Sequence, residues 1–472
     1  MDQRKALVWF RNDLRLHDNE AINDAIHTAD EVLFLYILDD RLFKGQTSFG
    51  FPKLGKYRKQ FILESLEDLR KSLKSKNSNL IVRSGITEEL IPELCRKFKM
   101  SWVYCNRERT QEEEIVQDTL EKNLWTIGVE MRYSRGKMLY HTADLPFPIT
   151  QSPTVFTSYR KEVEKLVPVR RPFETPELIP AFTEEVEEGK IPSLHDYDIQ
   201  DTNGSKGFRL KGGETEGLAQ LNYYFEETCL VKSYKKTRNQ SLGRDYSSKF
   251  SAYLSKGCLS PKTIYHELKK FEQKHGSNDS TYWLYFELLW RDFFRLMAKR
   301  FGSRIFHFSG LNSKRPEQDK EDFSLFNIWK EARTGIPYID AHLTELNQTG
   351  FMSNRGRQNV ASFLIYDMGL SWLMGAEYFE SLLVDYDPCS NYGNWAYIAG
   401  VGTDPKNGRH FSTTFQSQKY DSDAAFIKYW LPQLENLSPS VLHHPSINNE
   451  DKFKQHGLTL GKEYPAPILQ PN

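Results

Sequence analysis

The first 135 residues alternate short apolar runs with amphipathic helical patterns, and this alternation restricts the fold more than any other feature. The apolar runs, which read as strands, lie at residues 6–10, 32–39, 80–83 and 102–105, and helical patterns occupy residues 56–73, 88–98 and 112–124. Near-continuous apolar strands separated by helices predict a parallel, doubly wound α/β sheet. Because this region has neither a GxGxxG motif nor a P-loop, a ligand at the sheet's carboxyl edge would be held by other means.

The rest of the chain divides into a connection and a helical part. A length of 472 residues exceeds one core and predicts several domains. Eight of the 21 prolines fall between residues 140 and 215, which predicts a long linker over 136–215 with a short helix near 158–167. Helical patterns follow at residues 218–228, 261–274, 281–301, 337–348, 357–374 and 376–385. We therefore expect an all-α domain over 216–440 and a short C-terminal extension over 441–472.

Composition excludes several classes of protein. With 39% hydrophobic residues, 27% charged residues and no apolar run of about 18 residues, the chain is expected to be soluble and cytoplasmic, without a membrane span or targeting segment. Its five cysteines show no CxxC or zinc-type spacing, so neither a disulfide framework nor a metal site is predicted. The net charge is +0, so contact with nucleic acid would need a local basic patch.

Residues 350–402 place many polar side chains in an apolar and aromatic setting. The polar residues are Asn354, Arg355, Arg357, Asp385, Asp387 and Asn391, and the aromatic setting includes Trp372 and Trp395. Buried charges are costly unless they are paired or bind a ligand. The segment therefore predicts either a pocket for a large planar polar molecule or an internal ion pair between Arg357 and an aspartate.

Two further stretches carry candidate functional groups. Glu287, Trp290, Arg291 and Phe294 share one face of an aromatic helix, where a desolvated glutamate could donate or share a proton. The alternative is an i,i+4 pair between Glu287 and Arg291 on a half-exposed helix. In the second stretch, Ser247, Ser248 and Ser251 precede an apolar helix, which suits either a phosphate or ordinary helix capping.

Five long motifs identify the chain as similar to the photolyase/cryptochrome flavoproteins. They are WFRNDLR, ELLWRDFFR, TGIPYIDA, TGFMSNRGRQNVASF and DYDPCSNYGNW, and the resemblance runs from residue 8 to about residue 437. It implies an antenna-type α/β domain, a long linker and a helical domain that holds U-shaped FAD.

The resemblance also implies roles for individual residues in binding FAD. Asp385 and Asp387 would lie beside the flavin ring and ribose, with Arg357 paired to Asp385, and Asn391 would face flavin N5. The other cofactor contacts that it implies are Tyr234, Ser247, Ser248, Lys249, Phe250, Ser251, Arg291 and Asn354, with Lys249 where many members have arginine.

Within the family the chain resembles the DASH cryptochromes. Gln358 follows NRGR and Tyr397 follows WA, where ordinary dimer photolyases usually carry Met and Trp. Members of this branch typically repair cyclobutane pyrimidine dimers in single-stranded DNA. Glu287 would hydrogen-bond the flipped dimer and Trp290 would stack on it. Arg355, Gln358 and Tyr397 complete the implied substrate-binding set, and RNA is a further candidate partner of what is expected to be a monomer.

The resemblance also implies an electron relay and an antenna. Trp395 and Trp372 match the first two tryptophans of the family's relay, but Asp319 stands at the third position. Glu112 and Glu113 match the region that holds a 5,10-methenyltetrahydrofolate antenna in this branch, although acidic runs are more often solvated.

The expected function is light-driven repair of cyclobutane pyrimidine dimers by electron transfer from photoexcited reduced FAD. The alternative is a blue-light receptor without repair activity. Repair of (6-4) photoproducts would need a histidine pair near the lesion pocket, and SNRGRQNVASF contains none.

Overall fold

The N-terminal domain is a five-stranded parallel sheet covered by helices, as predicted from the apolar runs. The computed structural model describes residues 3–200, 206–311, 316, 318–404, 408–446 and 450–469. The strands are β1 (Lys5–Phe10), β2 (Glu31–Asp39), β3 (Leu80–Gly85), β4 (Trp102–Asn106) and β5 (Glu130–Ser134). All neighbours pair in parallel in the order β3-β2-β1-β4-β5, so the strand order reverses between β1 and β4. The doubly wound prediction is confirmed.

The sequence patterns located four strands but not the fifth. β5 lies at the edge of the sheet, where Glu130 and Arg132 pair with each other at the surface. An edge strand with charged side chains lacks the continuous apolar run that marks a buried parallel strand.

Helices cover the sheet and build the second half of the chain. Those of the α/β domain are α1 (Glu20–Thr28), α2 (Asp40–Phe43), α3 (Lys56–Lys74), α4 (Thr87–Phe98) and α5 (Gln111–Trp125), and the linker carries α6 (Phe156–Leu166). The next are α7 (Glu214–Asn222), α8 (Tyr234–Thr237), α9 (Phe250–Lys256), α10 (Pro261–His275), α11 (Asp279–Phe301), α12 (Phe323–Lys330) and α13 (Pro337–Thr349). The last are α14 (Asn354–Ser362), α15 (Trp372–Leu382), α16 (Pro388–Ile398), α17 (Thr413–Tyr420), α18 (Ala425–Trp430), α19 (Pro439–His443) and α20 (Glu450–Lys454).

The helix predicted over residues 357–374 is wrong. The chain instead forms α14, a π turn at Phe363–Asp367 and a break before α15. Gly369 adopts φ +69°, a left-handed conformation that ends a helix, and Leu370 pairs with Lys320 of a distant segment. Since the residues on both sides of the break are apolar, periodicity alone did not show it.

The two halves share one hydrophobic core. Helix α3 packs between the sheet and the helical domain, where Phe61 lies 5.5 Å from the Tyr253 ring. The linker is held along the α/β domain, since the backbone N–H of Val82 donates to Glu188 O and that of Val32 to Pro180 O. None of the described helices is long and apolar enough to cross a membrane.

Candidate functional site

A polar cavity opens among α14, the end of α15 and α16. Its lining residues are Asn354, Arg357, Gln358, Ala361, Phe379, Leu383, Asp385, Tyr386, Asp387, Ser390, Asn391, Asn394, Trp395 and Ile398. Seven residues singled out in the sequence, from Asn354 to Trp395, thus line one cavity. Charged and amide groups beside apolar rings are typical of a ligand pocket.

Arg357 and Asp385 form the ion pair that the sequence predicts. Arg357 Nη2 donates to both carboxylate oxygens of Asp385, at 3.0 and 2.8 Å, and its Nε donates to Met352 O at 2.9 Å. Both residues also line the cavity, so the ion pair and the pocket, which the sequence offered as alternatives, occur together. A fixed guanidinium–carboxylate pair offers both hydrogen-bond donors and hydrogen-bond acceptors to a bound ring.

Helix α16 presents two of the predicted residues to the cavity. Asp387 caps the helix by accepting from the backbone N–H of Ser390, and Asn391 and Trp395 follow on one face. Asn391 Nδ2 donates to Ala376 O on α15, which orients its amide. Trp395 packs on Gly375, where a Cβ would come within 2.2 Å of the indole. The glycine therefore makes room for this ring.

A buried arginine that the motif analysis did not single out holds Asp387. Arg295 Nη1 lies 3.0 Å from Asp387 Oδ2, and its Nη2 lies 3.2 Å from Glu108 of the α/β domain. Glu108 also pairs with Lys137. Burial raises the pKa of Asp387, but Arg295, Arg291 and the backbone N–H of Ser390 together outweigh it, so the pKa is lowered overall. Arg295 is the last residue of the ELLWRDFFR motif and lies four residues after Arg291, and these were its signals in the sequence.

Lys249 is the most unusual charged residue near the cavity. It is 3% exposed, and no hydrogen bond or ion pair joins it to any described residue. Its Nζ lies 3.3 Å from the centre of the Tyr246 ring. Burial lowers its pKa to about 7, and the charges of Glu345 and Asp385 oppose that fall. A buried amine that contacts aromatic rings but has no ion pair among the described residues suits a site for an anion.

Residues 6–177 match the family model for DNA photolyase, and residues 283–472 match the model for the FAD-binding domain of DNA photolyase. The chain belongs to the photolyase/cryptochrome family. It is 46% identical to Cryptochrome DASH of Gloeobacter violaceus over 471 residues, covering 99% of this chain and 94% of that protein. It is also 46% identical to Cryptochrome DASH of Xenopus laevis over 470 residues, covering 99% and 90% respectively.

Solved structures agree with this assignment. A Synechocystis sp. PCC6803 cryptochrome superimposes with a TM-score of 0.95 at 43% identity, covering 100% of this chain and 98% of that one. A class III photolyase from Agrobacterium tumefaciens gives a TM-score of 0.86 at 27% identity, covering 100% and 95%. The helical half is thus a photolyase-type FAD-binding domain, and the chain lies in the DASH branch.

The residues of this photolyase-type domain fit FAD in two respects. Lys249 provides a buried amine that suits a diphosphate, and Gln358 Oε1 at the cavity is buried with no hydrogen-bond partner among the described residues. Near Lys249, Ser248 and Phe250 are buried, Ser247 is half-buried and Ser251 is exposed.

Two predicted cofactor contacts lie elsewhere in this photolyase fold. Tyr234 is buried beside Arg238, whose guanidinium lies 6.0 Å from its ring. Arg291 donates to Lys137 O at 2.7 Å and to Leu254 O at 3.2 Å, so it ties the linker to α9. It does not line the cavity described above.

The aromatic helix α11 places Glu287 in a different pairing from the one considered in the sequence. Glu287 pairs with Arg238, and Arg291 bonds to backbone carbonyls, so the i,i+4 pair is wrong. Burial raises the pKa of Glu287, and Arg238 opposes the rise. Trp290 stacks on Phe156 of the linker helix at 3.7 Å and 9°. One face of the indole is therefore already covered.

Tyr397 and Arg355 were also predicted to bind DNA. Tyr397 meets Trp290 edge-on at 6.0 Å, and its hydroxyl accepts from Arg409 Nη2 at 3.0 Å. Arg355 donates to Asn239 at 3.2 Å and lies 4.7 Å from the Tyr420 ring. The wall that carries Tyr397 also carries Trp395 of the cavity, since both belong to α16.

The two antenna candidates differ in their surroundings. Glu112 is 76% exposed along its side chain and pairs with Lys53. Glu113 accepts hydrogen bonds from Thr110 Oγ1 at 2.6 Å and Asn12 Nδ2 at 3.2 Å, and burial raises its pKa. Only Glu113 is thus enclosed between segments of the α/β domain.

The relay residues are buried, and the third position is an exposed aspartate. Trp372 is fully buried, and its Nε1 donates to Phe308 O at 3.0 Å. The segment that carries Asp319 runs directly beside it, because Ser371 N donates to Lys320 O at 2.9 Å. The structure therefore places Asp319 near Trp372, where the family pattern would put another tryptophan.

Proposed function

We propose that this protein repairs cyclobutane pyrimidine dimers in a light-driven reaction, with a preference for single-stranded DNA. The observation that carries the proposal is the half-buried Glu287 on the same helix face as Trp290, which contacts Tyr397 of the cavity helix α16. When bound, photoexcited reduced FAD supplies the electron that opens the cyclobutane ring. Membership of the photolyase/cryptochrome family supports this chemistry.

In this proposal the chain's own residues hold the flipped dimer. Burial raises the pKa of Glu287, and in its protonated form this carboxyl group can donate a hydrogen bond to a pyrimidine carbonyl. Arg238 fixes the orientation of Glu287, and Trp290 offers the part of its indole that Phe156 does not cover. Aromatic stacking is tolerant of sequence and contributes about 1–3 kcal/mol per base.

A preference for single strands follows from the cost of flipping the dimer. Unpairing and unstacking a nucleotide is least costly where no complementary strand holds it. The net charge of +0 also favours modest binding through a local patch. Arg355, which stacks on Tyr420, and Arg409 beside Tyr397 are the cations that we expect to meet the phosphates, in DNA or RNA.

The FAD contacts and the antenna complete the proposal. Arg357, Asp385 and Asn391 hold the flavin ring, and Lys249 meets the diphosphate. Glu113 holds the pterin of 5,10-methenyltetrahydrofolate, because it is an enclosed carboxylate on the first turn of α5. An absorption spectrum of the purified protein, before and after Glu113→Gln, tests the antenna by the loss of folate absorbance.

Repair is tested with chemically reduced flavin and blue light. A dimer-containing single-stranded oligonucleotide should be repaired faster than its duplex, and an RNA oligonucleotide is the competitor. Glu287→Gln should lower the repair yield several-fold at unchanged flavin content, since it keeps the shape but not the ionisable proton. Glu267→Gln on α10, an exposed glutamate paired with Lys270, is the matched control.

Absence of repair in protein that retains FAD would refute the proposal. Light-driven changes of the flavin spectrum without dimer turnover would instead indicate a photoreceptor. Loss of flavin in Glu287→Gln would indicate that Glu287 has a structural role.

A further inference from the structure

A tyrosine on α16 that does not line the cavity contacts Trp372. Tyr392 meets Trp372 at a ring separation of 6.2 Å and 77°, and Phe306 packs against its other side at 4.7 Å. Tyr392 is 5% exposed, whereas Trp372 is fully buried. A redox-active ring thus lies in contact with Trp372, although position 319 carries no aromatic residue.

The phenol of Tyr392 has a carboxylate partner. Its hydroxyl donates to Glu380 Oε2 at 3.2 Å, and the hydroxyl of Tyr386 donates to the same oxygen at 2.8 Å. A tyrosine loses an electron readily only where its proton has an acceptor, because the oxidised phenol is a strong acid. A carboxylate within hydrogen-bond reach is such an acceptor.

Glu380 lies in surroundings that raise its pKa, so its carboxylate takes up a proton more readily than an exposed one does. Arg58 is 1% exposed and lies 4.4 Å from the Tyr386 ring, with its Nε and Nη1 atoms unpartnered. Burial raises the pKa of Glu380, and the charge of Arg58 opposes the rise. The ionisable groups that face Glu380 from the surrounding elements are Lys53, Arg58, Glu112, Tyr386 and Tyr392.

Another buried tyrosine of the same region lacks this arrangement. Tyr378, which packs on Trp329, donates to the amide oxygen of Asn347 at 2.7 Å and also contacts Lys330 O. Neither partner can accept a proton at ordinary pH. Tyr378 is therefore a matched control that has a buried phenol but no proton acceptor.

We propose that Tyr392 is the terminal internal electron donor for photoreduction of the flavin in this protein, with Glu380 as its proton acceptor. The electron moves from the phenol to the one-electron-oxidised indole of Trp372, which returns to its neutral form. The phenol O–H bond breaks, and the proton passes to Glu380 Oε2. The products are a neutral tyrosyl radical, a neutral carboxylic acid and the restored indole, and the oxidant is photoexcited oxidised flavin.

The step depends on pH through Glu380. Above the pKa of Glu380 the carboxylate accepts the proton, and the tyrosyl radical forms. Below that pKa the acceptor is already protonated. The tryptophan then stays oxidised until it recovers its electron from the flavin. Because Arg58 is its buried counter-charge, Arg58→Met should move this transition to higher pH.

The test is transient electron paramagnetic resonance of the FAD-bound protein after a light pulse, without DNA. The wild type should give a tyrosyl signal, and expression with ring-deuterated tyrosine should narrow it. Tyr392→Phe should lose that signal and accumulate less reduced flavin, whereas Tyr378→Phe should keep both. Glu380→Gln should lose the pH dependence, and infrared spectra of the flavin-free protein should lose one buried carboxyl band.

The inference is overturned if the wild type gives only tryptophan radicals, a result that needs no variant to fold. It is also overturned if Tyr392→Phe keeps the tyrosyl signal, or if Tyr378→Phe removes it. Dimer repair is measured separately, with flavin reduced by dithionite, which bypasses the relay. Tyr392→Phe should then repair at the wild-type rate, so failure of this inference and failure of the proposed repair activity are distinguishable.

Discussion

Replacing Lys249 with methionine should weaken FAD binding while stabilising the flavin-free protein. The lysine is almost fully buried, and burial lowers its pKa from 10.5 to about 7. That fall corresponds to about 5 kcal/mol of unfavourable free energy for the charged form, to order of magnitude. Methionine fills a similar volume without a charge, so the flavin-free variant avoids this cost.

The effect on FAD follows from the same charge. A charge-assisted contact with the diphosphate contributes about 1.5–3 kcal/mol, which corresponds to a factor of about 10–150 in Kd. Above pH 7 the wild type must also take up a proton on binding, so its Kd should rise by up to about tenfold per pH unit. The variant has no such proton to take up, so its Kd should be nearly independent of pH.

Stability of the flavin-free protein changes with pH in the matching direction. The folded pKa of Lys249 lies below its unfolded value, so the unfolded chain binds more protons between the two. Stability therefore rises as the pH increases from about 7 toward the unfolded pKa of about 10.4. Lys249→Met should remove that rise in thermal unfolding measurements.

Calorimetric titration of flavin-free protein with FAD, in buffers of different ionisation enthalpy, measures the Kd and the proton uptake together. Lys249→Arg keeps the cation and is the control that should retain binding. The reasoning is refuted if Lys249→Met binds FAD with the wild-type Kd and the wild-type pH slope.

Two further predictions concern packing and buried charge. Gly375→Ala should displace the Trp395 indole and lower the free energy of unfolding by about 1–3 kcal/mol, as measured by thermal melts. It should also slow flavin photoreduction under steady illumination, and an unchanged photoreduction rate would contradict this prediction. Arg295→Met leaves Glu108 and Asp387 buried without their shared cation. Its free energy of unfolding should fall by about 3–5 kcal/mol. The loss should be smaller at low pH, because both carboxyl groups are then protonated. A variant that melts at the wild-type temperature would refute this prediction.

Periodicity located the elements whose burial is uniform. β1, β2, β3 and β4 are buried parallel strands, and the long helices α3 and α11 carry clear apolar faces, so their patterns were sufficient. The edge strand β5 and the break before α15 were missed. Both depend on neighbours that are distant in the sequence, such as the pairing of Leu370 with Lys320.

The same division applies to the cavity. The motifs indicated its residues, and the Arg357–Asp385 pair could be predicted because the two residue types complement each other inside an apolar segment. The partner of Glu287 could not be predicted. Arg238 lies 49 positions earlier in a polar stretch whose sequence carries no sign of it.

By itself, the sequence determined which family the chain joins and which side chains are available, because motif residues and apolar periodicity are local properties. Only the tertiary structure decided which charges meet. Arg295 joins carboxylates of both domains, Lys249 packs on the Tyr246 ring, and Tyr392 bonds to Glu380 beside Trp372. Pairing in a desolvated interior depends on distances between segments that are far apart in the chain, and those distances are set only when the whole core packs.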